Sequence, residues 1–233
     1  MNRNRLILVA AAVGAAGLLA VVLILVAGKT KSSSSPSTTT AATTPRTAAS
    51  VLAGIPQHGD TLGKASAPVS LIVYEDPQCP FCRTWNVETL PTVIDEFVRT
   101  GKIKLVYRGV VIVGPDSVRG LRAMYAAAKQ SKLWDLVDAV YARQGAENSG
   151  WITNGLILAA ARDAGADGRA IIAGMGAPAV DAALRMAQKQ ATADHLQGTP
   201  TFIIQRPPAV AHQLPVPGLD PASFVAALSA ALQ

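Results

Sequence analysis

The apolar positions of this chain follow three different rhythms. From Leu6 to Ala27, LILVAAAVGAAGLLAVVLILVA, apolar and small residues run without a break. As a helix that run rises about 33 Å, enough to cross a hydrocarbon core of about 30 Å, and it predicts one N-terminal transmembrane helix. A cleavable signal peptide, cut after Gly28, is the alternative. The apolar region of such a peptide is typically about 7 to 15 residues, which favours an uncleaved signal anchor over residues 1–28. Residues 29–50 then hold Ser, Thr, Ala and Pro with no large apolar side chain. Such a stretch buries too little surface to offset the entropy of ordering it, so it is a linker.

From Val51 the third rhythm begins, an alternation of strand and helix patterns. VSLIVY at Val69 to Tyr74 is a short continuous apolar run of the kind found in buried central strands. Phe81 to Arg99 follows as a helix with a bend expected at Pro91, and IKLVYRGVV at Ile103 to Val111 as the next strand. Helices are expected over Val118–Gln130 with Ser117 as N-cap, Leu133–Ala142, Thr153–Asp163 and Pro178–Asp194. Thr201 to Ile204 returns to strand, and Pro221 to Leu232 closes as an amphipathic helix. The order predicts one α/β domain over 51–233 with a helical insertion at about 116–195.

Charge changes the picture little. The chain of 233 residues carries a formal +6, but Arg3, Arg5, Lys29, Lys31 and Arg46 lie in a first fifty residues without Asp or Glu. The rest, which holds all 15 acids, is close to neutral. It has no basic stripe interleaved with aromatics, which argues against a nucleic-acid partner.

Cysteine changes it more. Cys79 and Cys82 in EDPQCPFCRTW are the only two in the chain. A thiol attacks a disulfide as the thiolate, and a cysteine at a helix start gains thiolate stabilisation from unpaired backbone N–H groups and the helix dipole. The strand ending near Tyr74, the turn at Asp76 and Pro77, and Pro80 at a position that needs no N–H place Cys79 there. Cys79 would then be the exposed, low-pKa sulfur and Cys82, one turn on, its more buried partner. Half a zinc site is the competing reading; His58, His195 and His212 are the remaining nitrogen ligands, and none has finger-like spacing, so no metal is expected. Trp85 and Trp134 are expected in the core or a groove wall, and His195 as a cap or solvated residue.

APVSLIVYEDPQCPFC at Ala67–Cys82, LVYRGVVIVGPDS at Leu105–Ser117 and GTPTF at Gly198–Phe202 together resemble the DsbA-like branch of the thioredoxin superfamily. The resemblance runs from about Ile55 to Gln233. It implies a thioredoxin fold with a helical insertion, Cys79 as nucleophile, Cys82 as resolving cysteine, and Pro80 and Phe81 as the dipeptide that tunes the redox potential. Pro200 matches the family's cis-proline, and Thr199 the position where backbone pairs with an extended substrate. Where many relatives carry a buried acid six residues before the first cysteine, this chain has Val73, with Glu75 and Asp76 nearby. The implied activity is thiol:disulfide exchange without a cofactor, most simply an oxidase acting on reduced, unfolded exported proteins and reoxidised by a membrane quinone-linked partner. A reductase or isomerase on the same fold and a chaperone-like peptide binder are the alternatives. A monomer is expected, tethered to the cell membrane by a single pass with its domain outside the cytoplasm, since a reducing cytosol would leave a dithiol oxidase idle.

Overall fold

The structure, a computed structural model, describes residues 51–233. The transmembrane helix and the linker expected before Val51 lie outside the described residues.

Two-residue strands β1 (Gln57–His58) and β2 (Thr61–Leu62) form a small hairpin. Strand β3 (Val69–Glu75) leads into helix α1, which opens as Pro80–Thr84 and continues to residue 98. Strand β4 (Ile103–Gly109) is followed by α2 (Pro115–Ala127), α3 (Leu133–Tyr141), α4 (Asn154–Asp163), α5 (Gly168–Gly174) and α6 (Pro178–Ala193). Strands β5 (Thr201–Gln205) and β6 (His212–Gln213) and helix α7 (Pro221–Ala231) complete the chain. The sheet order is β1-β2-β4-β3-β5-β6. β3 and β4 are parallel; β5 runs antiparallel to β3, with Tyr74 opposite Thr201.

Alternation along β3 divides the core. Val69, Leu71 and Val73 point into a large cluster shared with α1 and the insertion, whereas Tyr74 joins a smaller one with Val110, Ala191 and Ile203 on the other face. Trp85 and Trp134 are both fully buried in the large cluster. Trp85 of α1 packs on Phe202 of β5 at 4.8 Å and on Phe224 of α7 at 4.4 Å between ring centroids, so three separate elements share one aromatic contact.

One local expectation is corrected. Ser117 is not an N-cap: α2 starts earlier, at Pro115, whose fixed φ suits the first helical position, with Gly114 before it. The Asn148 side chain occupies the space a Cβ on Gly114 would need. Just before Pro91 the helix widens into a π-turn over Trp85–Thr89, where the Leu90 N–H reaches back to Trp85 O. A second π-turn covers Ile94–Val98. Proline cannot donate to the carbonyl four residues back, and a wider turn accommodates the lost bond.

Candidate redox site

The sheet register brings the two halves of the site together. Because β5 is antiparallel to β3, the start of β5 lies beside the end of β3, where the turn into α1 begins. Cys79 is the N-cap of α1 in extended conformation, and Pro80 takes the first helical position. Thr199–Pro200, joined by a cis bond, immediately precedes β5. The Cys79 thiol donates to the Thr199 carbonyl at 3.2 Å.

Cys79 and Cys82 are free thiols, and their environments push them apart. A hydrogen bond from the Cys82 thiol is the main cause that lowers Cys79 from the ordinary 9.0 to about 6; the Thr199 side chain and the N–H groups of Cys82 and Phe81 add to it, and burial opposes it. Burial, the Cys79 bond and the charge of Glu75 hold Cys82 well above the ordinary value. At neutral pH the first sulfur is a thiolate and the second a thiol, the arrangement a nucleophile and its resolving partner require. The expected exposure of Cys79 is corrected, since only 5% of its surface is open. Pro80 and Phe81 instead form the exposed edge, Phe81 with 65% of its surface open beside the sulfur.

Glu75, which the sequence places near the missing acid but not equivalent to it, stands in its place on the strand. It lies two positions after Val73, hence on the same face of β3, and it is fully buried. Its Oε1 accepts from Asn86 Nδ2 at 2.9 Å, and the same nitrogen donates to Cys82 O at 2.9 Å. Its Oε2 accepts no hydrogen bond among the described residues. Burial above all, with the charge of Cys79, raises its carboxyl from 4.5 to about 8. An acid two residues on along the same strand face thus stands next to the pair. The signal was available in the period of the strand, had Glu75 been counted as its last residue.

Asp76 is also fully buried, and its carboxylate is satisfied by neutral donors. Oδ2 accepts from Ile112 N and Val113 N at 2.7 and 2.8 Å, and Oδ1 from Gln78 N at 2.8 Å and Ser117 Oγ at 2.6 Å. The three histidines sit apart on the surface: His58 in β1, His212 in β6, and His195 just after α6 with a φ of 53°.

A sequence model of the thioredoxin family matches residues 57–208. The probable disulfide bond formation protein D of Bacillus cereus is 36% identical over 105 residues, which are 44% of this chain and 49% of that protein. The disulfide bond formation protein D of Bacillus subtilis is 28% identical over 98 residues, 41% and 44% of the two chains. The chain thus spans about half the length of the curated relatives it matches. Among solved structures, oxidised BdbD from Bacillus subtilis is similar with a TM-score of 0.64 and 19% identity, over 76% of this chain and 97% of that one. A thioredoxin-like oxidoreductase from Silicibacter pomeroyi is similar with a TM-score of 0.57 and 26% identity, over 73% and 90%.

Proposed function

Since this chain belongs to the thioredoxin family, with a DsbA-like block of helices between β4 and β5, we propose that it is a thiol:disulfide oxidoreductase that oxidises reduced proteins outside the cytoplasm. The observation that carries the reading is the split between the two sulfurs, one poised as thiolate at a helix start and the other held as thiol. Lowering Cys79 stabilises the reduced pair and so makes its disulfide a stronger oxidant.

In the oxidised protein, a substrate thiolate attacks Cys79 Sγ. The Cys79–Cys82 bond breaks, and Cys82 leaves with the electron pair while a mixed disulfide forms at Cys79. Cys82 is buried and holds its proton tightly, so it takes one up on leaving; the protonated carboxyl of Glu75, bridged to the Cys82 peptide by Asn86, supplies it. A second substrate thiolate then attacks the substrate's own sulfur in the mixed disulfide. Cys79 departs as a thiolate, a good leaving group because its pKa is low. The substrate loses two electrons to form its disulfide, and the pair gains them. Thr199, whose carbonyl already faces Cys79, is the backbone position for an extended substrate, with Pro200 beside it; exposed Phe81 offers apolar contact to unfolded chains. Pro80 and Phe81 tune the potential as the residues between the sulfurs. Return of the pair to the disulfide needs an electron acceptor, for which the family resemblance supplies a membrane quinone-linked partner.

The reduction potential of the pair against glutathione, measured together with turnover of a reduced, unfolded dithiol protein, tests the direction. A potential nearer about −120 mV with rapid substrate oxidation supports the oxidase. One near about −270 mV, the range of a reductant such as thioredoxin, would remove it.

A further inference from the structure

Besides the bonds of Asp76, the turn that presents Cys79 is held by side chains of the helical insertion. Tyr141, at the end of α3, donates its hydroxyl to Asp76 O at 3.0 Å. Asn148 donates its N–H to Gln78 Oε1 at 2.7 Å and accepts from Gln78 Nε2 at 3.1 Å. Gln78 Nε2 also donates to Ser117 Oγ of α2 at 2.9 Å. On α2, Gly120 has no room for a side chain, because a Cβ there would lie 2.9 Å from the Pro77 ring.

One bond pair in this set bears on the nucleophile directly. Gln144, in the turn after α3, donates from Nε2 to Pro77 O at 2.9 Å and to Cys79 O at 3.0 Å. The two N–H groups of one carboxamide therefore fix two carbonyls, those of the nucleophile and of the residue two before it. This matters because Cys79 has two roles in the backbone. It caps α1, and its sulfur takes its stabilisation first from the Cys82 thiol and then in part from the Phe81 and Cys82 N–H groups, all on the turn just beyond. Those bonds depend on the orientation of the Cys79 unit, and Gln144 is the side chain that grips its carbonyl. A methionine would match the length of Gln144 without either donor.

We propose that Gln144 is a positioning residue for Cys79, so that the helical insertion, through one carboxamide, sets the reactivity of the nucleophile. The inference rests on the exchange chemistry proposed above for its importance, but its test does not require that chemistry.

The test compares the full chain with Gln144→Met and with Gln57→Met. Gln57 also makes two bonds with its carboxamide, donating to Asp135 and accepting from Trp134 N, and both tie β1 to α3 instead of to the redox turn. Alkylation of Cys79 by iodoacetamide across pH, followed by mass spectrometry of the peptide, reads its titration with Glu75 and Cys82 as the ionisable neighbours in all three proteins. In Gln144→Met the midpoint should rise from about 6 by about half a unit or more, which lowers the thiolate fraction below the midpoint about threefold. Gln57→Met should leave it in place whatever its effect on stability. Gln144→Ala at this half-buried position serves as a second variant. A parental midpoint in both Gln144 variants, or an equal rise in Gln57→Met, overturns the proposal. So does unfolding of both Gln144 variants under conditions where Gln57→Met stays folded, since the carboxamide would then be a structural tie. A shifted midpoint in a protein that fails to oxidise dithiols would leave the positioning role standing and remove the oxidase reading instead.

Discussion

Cys79 and Glu75 are both held out of water, yet their shifts have opposite signs: the donors aimed at the Cys79 thiolate outweigh its burial, whereas burial outweighs the bond that Asn86 gives Glu75. The carboxyl of Glu75 stays protonated in the fold up to about 8, whereas in the unfolded chain it loses its proton near 4.5. Between those values the native state binds a proton that the unfolded state has released, so this group makes stability fall as pH rises. Glu75→Gln has no such proton. Relative to the parent it should gain stability steadily from about pH 4.5 to about pH 8, read as urea midpoints of the two reduced proteins at a series of pH values. A difference that stays flat across that window would show that Glu75 does not titrate as a buried acid. At this scale the sequence shows the sulfurs and the Thr199–Pro200 segment, because their spacing and order are local patterns. Gln144 and Asn148 are invisible in it. They are polar residues in a stretch without periodicity, and their meaning comes only from the turn they reach across 65 and 70 residues.

Among the elements, the long strands and most helices are legible because each has a run long enough to show its period. β1, β2 and β6 are not: two residues display no alternation. Helix α5 is short and has glycine at both ends, but its cap is a recognisable signal, since Asp167 accepts from the N–H groups of Arg169 and Ala170. Helix α7 carries no site residue but reaches the site through packing, because Phe224 lies against both Trp85 of α1 and Phe202 of β5. Phe224→Ala should cost about 3–5 kcal/mol of stability in a urea titration, the range for deleting a buried aromatic ring. It should also loosen β5, seen as faster amide exchange at Phe202 and Ile203. A loss well below 1 kcal/mol would mean that α7 is not anchored by this contact.

For the whole molecule, the proposed oxidase activity carries a prediction about location. If the first helix is an anchor and the domain lies outside, a membrane-impermeant maleimide applied to intact cells should label Cys79 after mild reduction. Labelling only after the membrane is broken would place the domain inside. The charge distribution was readable here, since a near-neutral domain behind a basic N-terminal stretch is a matter of counting. The size of the insertion was readable too, but its grip on the redox turn was not, because that grip joins residues from separate helices.

The antiparallel pairing of β5 with β3 also has a consequence in time. Cys79 and Thr199 are 120 positions apart, and the contact between them cannot form until the whole insertion has been made and β5 has docked. Throughout that interval the newly made sulfur lacks its cover and is open to any passing thiol or disulfide. If the chain emerges into an oxidising compartment, as proposed above, it is exposed to premature pairing at its own active cysteine until the last central strand docks.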